Sequence, residues 1–263
     1  MISEITPCVL VAVPVHNEEG HIGGVLGRVS QYARDVLVVD DGSSDGTPGR
    51  LLDAARELPG LRVIRHRHNR GYGRSLRTAF TYARRAGYRW VITMDCDEQH
   101  EPESLPGFYR AIAQDDADIV SGTRYPRGFD AGGGDAAPPD RRAINRLITA
   151  QVNAQLGLGL TDAFCGFKAH RVSTLGRLGL TEDGYAFPMQ LWARAAALGL
   201  RVVELPVRRI YADPNRRFGG GLDDPEARLA HYRAVLEREI AAGGAGAPGA
   251  IEAPGLGAPM VSA

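Results

Sequence analysis

The chain has 263 residues, which is enough for one large domain with a sizeable core. Its 31 basic and 31 acidic residues cancel, so no overall charge directs it to nucleic acid or to an anionic membrane. Three widely spaced cysteines, no signal-peptide pattern and no apolar run of about 18 residues argue against a disulfide-rich, secreted or membrane-spanning chain and predict a cytoplasmic protein.

Short apolar runs alternate with helical patterns over the first 125 residues. The apolar runs predict five strands, at residues 8–14, 35–41, 61–66, 89–95 and 117–122. Apolar residues recurring three and four positions apart predict helices that begin near Glu18, Gly46, Gly71 and Pro102. Continuous apolar strands alternating with helices indicate an α/β domain, in which a parallel sheet is covered by helices on both faces.

The second half begins with a segment rich in glycine, alanine and proline, residues 127–139, which predicts a long functional loop. The elements predicted after it are a helical pattern at 141–157, a helix around 184–198, a strand at 201–207 and a last helix near 224–241. Residues 242–263 are low in complexity and predict a disordered tail. The sequence therefore predicts one folded domain, residues 1–241, followed by that tail.

Polar clusters follow four of the predicted strands. In chain order they read VHNEE, DDGSSDG, RHNRGYG and DCDEQH. Because the ligands of parallel sheets bind at the carboxyl ends of the strands, we expect these clusters to line one site.

The sharpest of these clusters is the acidic one in ITMDCDEQHEP, residues 92–102. In an extended segment, Asp95, Asp97 and Gln99 point the same way because they alternate along the chain. Hard oxygen ligands suit Mg²⁺ or Mn²⁺, which proteins often bind with few carboxylates together with substrate phosphates. The pattern predicts a divalent-cation site, and the alternative is an acidic loop that caps the next helix.

Two other loops carry less specific signals. Asp40 and Asp41 end a strand and could accept hydrogen bonds from a base or a ribose. The alternative is a turn in which Ser44 or Asp45 caps the next helix. The stretch PVHNEEG likewise fits an ordinary helix start, whose acidic residues the helix dipole favours.

Basic side chains on the same edge of the sheet point to phosphate binding. Arg70 and Arg74 surround two glycines in the third loop, and Arg124 follows the fifth strand. The alternative for the third loop is a solvated basic turn.

Asp162, in TDAFCGFKAHR, would be an unpaired buried acid unless it meets Lys168, Arg171 or a ligand. Neither the G-x-G-x-x-G fingerprint nor a phosphate-binding P-loop occurs in the chain, which argues against the nucleotide-binding folds that use them.

Taken in order, these stretches resemble the inverting family 2 glycosyltransferases with the GT-A fold, and most closely their dolichol- or polyprenol-phosphate mannosyltransferase branch. The likeness covers roughly residues 8–220. The stretches that carry it are VPVHNEE, VLVVDDGSSDGT, NRGYGRSLRTAF, ITMDCDEQHEPE, IVSGTRY, RRAINRL, TDAFCGFKAHR and GYAFPMQLWARAAALGLRVVELPV. The resemblance implies a Rossmann-like, mostly parallel sheet with a C-terminal helical extension, which binds a nucleotide sugar.

The resemblance also assigns roles to individual residues. The residues expected to bind the nucleotide are Pro14, His16, Glu18, Asp40, Asp41, Arg70, Arg74 and Asp95. Asp95, Asp97 and Gln99 would hold the Mg²⁺ or Mn²⁺ ion that stabilises the leaving diphosphate, which makes Asp97 a catalytic residue. The residues expected to contact a phosphate of the donor or the acceptor are Arg124, Arg141, Arg142, Asp162, Lys168 and Arg216, with Arg124 counted as catalytic.

One departure from the branch concerns the acceptor phosphate. The branch usually shows an Arg-x-x-Gly-x-Ser-Lys element near the end of the catalytic domain. Here RRFGGGLDD keeps Arg216 and Gly219 but has Gly221 and Leu222 where Ser and Lys are expected, which puts one contact with that phosphate in doubt.

The implied function is transfer of a hexose, mannose from GDP-mannose, to a polyprenyl phosphate, whose anionic oxygen needs no general base. A hydroxyl acceptor such as a sugar or glycerate, with a UDP- or GDP-sugar as donor, would need one. Asp183, beside Glu182, stands where other family 2 members place that base, and the alternative is an N-cap pair for the next helix.

A third hypothesis is a catalytically silent nucleotide-sugar-binding protein.

Because the membrane-spanning helices of some relatives are not found in this sequence, a polyprenyl acceptor would require peripheral docking on the inner face of the membrane. We also expect the loop at 127–140 to become ordered over a bound donor.

Overall fold

The computed structural model describes residues 9–96, 101–126, 138–208 and 221–243. Its strands are β1 (Val9–Val15), β2 (Val36–Asp40), β3 (Leu61–Arg65), β4 (Trp90–Thr93), β5 (Ile119–Thr123), β6 (Lys168–Arg171) and β7 (Val202–Pro206). They form one seven-stranded sheet in the order β3-β2-β1-β4-β6-β5-β7. All neighbouring strands run parallel except β6, which is antiparallel to both β4 and β5.

The helices cover the sheet on both faces. They are α1 (Ile22–Val29), α2 (Thr47–Glu57), α3 (Tyr72–Arg85), α4 (Leu105–Ala113), α5 (Pro139–Leu156), α6 (Val172–Leu178), α7 (Phe187–Ala197) and α8 (Pro225–Ala241). A single 3₁₀ turn, Pro102–Ser104, leads into α4. Within the described ranges, none of these helices combines the length and the apolar character needed to cross a membrane.

Two hydrophobic cores lie on opposite faces of the sheet, because successive strand residues point to opposite sides. Leu10 and Ala12 of β1 face the core formed with α3, α5, α6, α7 and α8. Val9 and Val11 face the core formed with α1, α2 and α4. The predicted α/β fold is confirmed: the sheet is mostly parallel, helices flank both faces, and a helical extension ends the described chain.

The five strands predicted in the first half agree with the structure to within two residues at each end. The antiparallel strand β6 was not predicted, because Lys168–Arg171 is too short to show a periodic pattern. The predicted loop at 127–139 ends earlier than expected, because α5 begins at Pro139. Proline suits the first position of a helix, since the backbone N–H that it lacks would have no hydrogen-bond partner within the helix there. Residues 127–137 of that loop, and the predicted tail from residue 244, lie outside the described residues.

The last helix is fastened to the domain by a buried polar network. Glu239 on α8 accepts hydrogen bonds from Arg194 Nε at 2.7 Å and Gln190 Nε2 at 2.8 Å, both on α7. Burial raises the pKa of Glu239, but these two partners outweigh it and hold the pKa below its ordinary value. Gln190 Oε1 in turn accepts from the amides of Thr181 and Glu182, at 2.7 and 2.8 Å. The network therefore ties α8 to the loop that precedes α7.

We expect Glu239→Ala to lower the free energy of unfolding by about 3 kcal/mol, because it leaves the buried Arg194 guanidinium without its carboxylate. Urea unfolding measures this loss. The matched control is Asp53→Ala, which breaks an ion pair with Arg56 on the surface. The side chain of Asp53 is 66% exposed and that of Arg56 is 68% exposed. That change should cost less than about 1 kcal/mol. Equal losses in the two variants would contradict the importance of the α7–α8 network.

Candidate active site

The described residues of the predicted polar clusters lie at one edge of the sheet, because the parallel strands that carry them all end there. β6 runs the other way and therefore begins at this edge. Its first residue, Lys168, lies beside Thr93 of β4 and Ser121 of β5. The loop that precedes Lys168 is thereby placed among the loops that follow β4 and β5.

Asp40 and Asp45 stabilise the loop after β2. Asp40 is fully buried; its Oδ1 accepts from the amide of Ser43 at 2.9 Å, and its Oδ2 lies 3.1 Å from Arg65 Nε. Asp45 Oδ1 accepts from the amide of Thr47 at 3.0 Å, at the start of α2. The bond from Asp45 therefore closes a turn, but α2 has Gly46 at its N-cap and no side-chain cap, so neither Ser44 nor Asp45 caps the helix. A contact between Asp40 and a ligand stays a prediction.

Asp41 organises the turn that leads into α3. Its Oδ1 accepts from His66 Nδ1 at 2.6 Å and from the amide of Arg70 at 2.9 Å, and its Oδ2 accepts from the amide of Gly71 at 2.8 Å. His66 Nε2 is bonded to Thr78 Oγ1 at 3.0 Å, on α3. Both carboxylate oxygens thus hold the third loop in place, and the predicted contact with base or ribose stays a prediction.

The loop after β1 is fastened to the loop after β2. His16 Nδ1 donates to the carbonyl of Asp41 at 2.9 Å, and the amide of Glu18 donates to Thr47 Oγ1 at 2.8 Å. Pro14 is half-buried within β1, His16 is exposed and Glu18 is buried. His16 and Glu18, which are predicted to line the nucleotide pocket, therefore lie on a loop that is held to the loop after β2.

Asp95 stands at the centre of the edge, just after β4. Its Oδ1 accepts from the hydroxyl of Tyr72 at 2.9 Å, at the start of α3. On its other side lies Gly166, where a Cβ atom would overlap the Asp95 carboxylate. The carbonyl of Gly166 accepts from Thr93 Oγ1 at 2.8 Å. Asp95 is therefore oriented by one donor and by one residue that must lack a side chain.

Of the predicted metal ligands, Asp95 is described, whereas Asp97 and Gln99 lie outside the described residues. In the described part of the chain, no three His, Cys, Asp or Glu side chains are grouped to hold a metal ion. Asp95 itself fits a hard cation, because it is an oriented carboxylate at the ligand edge of the sheet.

Arg124 and Asp162 form a bidentate ion pair under this edge. Arg124 Nε and Nη2 donate to the two carboxylate oxygens of Asp162 at 2.7 and 3.0 Å, and the amide of Arg124 adds a third bond at 3.1 Å. Lys168 is also buried; its Nζ donates to the carbonyl of Cys165 and lies 5.3 Å from the centre of the Trp192 ring. The expected partner of Asp162 was Lys168, Arg171 or a ligand, and the structure gives it Arg124.

The charges of this cluster influence one another. Burial raises the pKa of Asp162, but the Arg124 guanidinium and the nearby Lys168 outweigh it, so the pKa lies below its ordinary value. Burial lowers the pKa of Lys168, which electrostatic interaction with Cys165, Asp162 and Asp95 opposes only in part. The predicted phosphate contacts of Arg124, Asp162 and Lys168 stay predictions. The Arg124–Asp162 pair and the nearby Lys168 form a buried charged cluster that interacts electrostatically with Asp95.

The loop before α7 packs against the start of α3. Asp183 Oδ1 is paired with Arg77 Nη1, and the carbonyl of Asp183 accepts from the amide of Arg74 at 3.1 Å. Gly71 and Gly73 lie so close to this loop that side chains there would overlap its backbone. Because α7 begins at Phe187 without a side-chain cap, the N-cap alternative for Asp183 is wrong.

Arg141 and Arg142 lie in the first turn of α5. Asp140 Oδ2, next to them, accepts from the buried Arg228 of α8 at 2.7 Å, which holds this turn against the last helix. Arg216 lies outside the described residues. The phosphate contacts predicted for Arg141, Arg142 and Arg216 stay predictions.

Three residues of this region were missed by sequence reasoning: Tyr72, Arg77 and Gly166. Tyr72 reaches Asp95 across 23 positions, and Arg77 reaches Asp183 across 106. All three stand inside stretches quoted for the resemblance, but no spacing signal shows which distant side chain each of them touches. Only the packing of α3 and of the loop before β6 brings these residues to the site.

Several known proteins are similar to this chain over most of its length. Undecaprenyl-phosphate mannosyltransferase of Micrococcus luteus is 34% identical over 204 residues, which cover 76% of this chain and 82% of that protein. Polyprenol monophosphomannose synthase of Mycolicibacterium smegmatis is 32% identical over 204 residues, which cover 75% and 76%. The crystal structure of glucosyl-3-phosphoglycerate synthase from Mycobacterium tuberculosis with Mn²⁺, UDP and glucosyl-3-phosphoglycerate superposes with a TM-score of 0.69 at 20% identity, covering 92% of this chain and 84% of that chain.

The sheet topology and this structural likeness show the GT-A fold. Residues 10–179 match the family described as Glycosyl transferase family 2. The chain belongs to that family, and the predicted family, fold and enzyme class are confirmed.

We expect Gly166→Ala to displace the Asp95 carboxylate and to lower the rate of glycosyl transfer by roughly a hundredfold, as a ~1 Å misplacement in an active site can do. Initial rates measured over a range of Mn²⁺ concentrations test this. The matched control is Gly49→Ala on α2, where an added Cβ meets open space. That variant should keep the wild-type rate and gain up to about 1 kcal/mol of stability. An unchanged rate in Gly166→Ala would contradict the role of the glycine.

Proposed function

We propose that this chain is a metal-dependent, inverting glycosyltransferase that moves mannose from GDP-mannose to a polyprenyl phosphate. The observation that carries the acceptor is the likeness to two relatives named for this chemistry, at 34% and 32% identity over three quarters of the chain. The sugar comes from the same names. GDP as the nucleotide rests on the branch resemblance in the sequence.

A phosphate acceptor suits what the described site offers. Inversion requires in-line attack on the anomeric carbon, and a phosphate oxygen is already anionic, so no group need take a proton. Positioning and electrostatics then supply the catalysis. The described carboxylates are consistent with this, because Asp162 is paired with Arg124 and Asp183 with Arg77.

The cation would be held by Asp95 together with Asp97 and Gln99. When bound, Mg²⁺ or Mn²⁺ would neutralise charge on the leaving diphosphate. Tyr72 would keep Asp95 oriented through its hydroxyl, and Gly166 would leave room for that carboxylate. Such partners of a metal ligand commonly decide how well the ligand works.

The remaining predicted residues would divide between nucleotide and phosphates. The nucleotide would bind at the ends of β1 and β2, on the side of Asp95 that faces β3. The residues that would shape this part of the site are Pro14, His16, Glu18, Asp40 and Asp41. Arg70 and Arg74, at the start of α3, would neutralise the phosphates of the donor nucleotide. The guanidinium groups proposed to meet a phosphate on the acceptor side are Arg124, Arg141, Arg142 and Arg216. A polyprenyl acceptor would bring the protein into peripheral contact with a membrane.

We expect GDP and GDP-mannose, but not UDP or UDP-glucose, to raise the melting temperature when Mn²⁺ is present and not when EDTA replaces it. A nucleotide at about 100 times its dissociation constant adds near 2.7 kcal/mol of stability. The shift should vanish in Asp97→Ala. Transfer of labelled mannose to undecaprenyl phosphate then tests the whole proposal. A shift with UDP alone would change the donor, and absence of transfer to undecaprenyl phosphate would overturn the acceptor.

Asp183→Asn separates a phosphate acceptor from a hydroxyl acceptor. We expect this variant to keep most of the wild-type rate, because a phosphate acceptor needs no base. Loss of a true general base would lower the rate by about a hundredfold or more. Arg77→Gln is the matched control, since it breaks the same ion pair but keeps the carboxylate. A large loss in Asp183→Asn but not in Arg77→Gln would favour the hydroxyl acceptor.

A further inference from the structure

His66, the first residue after β3, is buried and bonded at both ring nitrogens. Its Nδ1 lies 2.6 Å from Asp41 Oδ1, and its Nε2 lies 3.0 Å from Thr78 Oγ1 on α3. An ionised carboxylate only accepts hydrogen bonds, so Nδ1 carries a proton and donates it to Asp41. The hydroxyl of Thr78 can either donate to Nε2 or accept from it. His66 therefore joins the loop after β2 to the body of α3.

Asp41 does for α3 what a local side-chain cap does for other helices. The N-cap of α3 is Gly71, which offers no side chain, so the amides at this helix start need acceptors from elsewhere. Asp41 Oδ1 accepts from the amide of Arg70 at 2.9 Å, and Oδ2 accepts from the amide of Gly71 at 2.8 Å. The exposed Asn69 shares the second of these amides, at 3.0 Å. The buried Asp41 carboxylate thus holds the two residues directly before Tyr72.

His66 fixes the position of that carboxylate. Because Asp41 is buried, its charge depends on protein donors in place of water. Among the described residues, three donors contact the carboxylate, and two of them are the amides of Arg70 and Gly71 that it holds. Only His66 stands outside that turn, where the bond to Thr78 also steadies its ring. The carboxylate is therefore a fixed support for the turn as long as His66 donates to it.

The turn has little freedom to adjust, and Tyr72 follows it at once. Gly71 has a φ of +103°, and a Cβ atom there would lie 2.3 Å from the carbonyl oxygen of Asp183. The first turn of α3 is thus held both by Asp41 and by the loop before α7. From this turn the hydroxyl of Tyr72 donates to Asp95 Oδ1 at 2.9 Å. A shift of the turn would move that hydroxyl relative to the carboxylate.

Building on the proposed function, we infer that His66 is a positioning residue for the divalent cation. It acts through Asp41 and the start of α3, which together keep the Tyr72 hydroxyl on Asp95. Asp95 is the described carboxylate among the proposed ligands of the cation, and hydrogen-bond partners of a ligand commonly tune its affinity for the metal. His66 thereby links the proposed nucleotide loop to the metal ligand on the other side of β1.

The test measures Mn²⁺ binding directly, by the electron paramagnetic resonance signal of free Mn²⁺, with the full chain and either GDP or UDP but no acceptor. The matched variants are His66→Gln and His66→Asn. An asparagine amide nitrogen lies near the place of Nδ1 and keeps a donor for Asp41, whereas a glutamine amide nitrogen lies near the place of Nε2 and does not. His66→Gln should raise the Kd for Mn²⁺ by about tenfold, and His66→Asn should bind as wild type. Partial unfolding would instead lower the number of sites per chain and leave the Kd unchanged.

Tyr72→Phe, which removes the hydroxyl, shows whether His66 acts by this route. Alone it should also raise the Kd for Mn²⁺ by about tenfold. Adding His66→Gln to it should change the Kd little further, because residues on one route are not additive. Independent effects, which would multiply to about a hundredfold, would overturn the inferred route through Tyr72.

An unchanged Kd in a folded His66→Gln variant would overturn the inference alone. If that variant does not fold, Thr78→Val decides in its place, since it frees one side of the ring and should raise the Kd in the same direction by less. A wild type that binds Mn²⁺ with a nucleotide but transfers no mannose to undecaprenyl phosphate would overturn the proposed acceptor and leave the inference to the measured Kd values. A wild type that binds no Mn²⁺ with either nucleotide would overturn the proposed metal dependence and the inference together.

Discussion

The buried ion pair between Arg124 and Asp162 joins the end of β5 to the loop that leads into β6, and the site depends on that junction. Glu204 of the edge strand β7 reinforces it by accepting from the amides of Thr161 and Asp162, at 2.9 and 3.1 Å. A buried pair adds little stability compared with apolar side chains, but losing one partner costs about 3–5 kcal/mol. Its value here lies in geometry, because it fixes where the loop before β6 must run.

That loop makes the centre of the edge. Since β6 is antiparallel, its entry side carries Gly166 and Lys168 to the carboxyl ends of β4 and β5. Gly166 meets Asp95, and Lys168 stays under the edge between its carbonyl partner and the Trp192 ring. Two acidic side chains, Asp95 and Asp162, thus lie close to two basic ones, Arg124 and Lys168. In this buried setting each charged group restricts the others to one arrangement.

The last two helices belong to the site as much as the strands do. The family match ends at residue 179, yet α7 and α8 lie beyond it and orient the loop at 181–184 through Gln190 and Glu239. That loop presses on the start of α3, where Tyr72 orients Asp95. A change on α8 can therefore reach the centre of the edge through side-chain and backbone hydrogen bonds, without touching a substrate.

The sequence by itself determined the class of fold, the strands of the first half to within two residues, and the edge on which the polar loops gather. It could do so because strand and helix periodicity are local, and because parallel strands place their carboxyl ends together. The motif order identified the family for the same reason, as each motif is a short continuous stretch. The predicted role of each site residue rests on that resemblance.

Only the tertiary structure decided which side chains meet. Asp162 was expected to need a partner, but that partner, Arg124, is 38 positions away. The short strand β6, the Tyr72–Asp95 bond and the stacking of the Tyr72 and Tyr185 rings likewise depend on segments far apart in the chain. Periodicity records which face of an element is buried, but not which element packs against it. Contacts between distant segments are therefore fixed by how the helices and loops pack on the sheet, which no local pattern encodes.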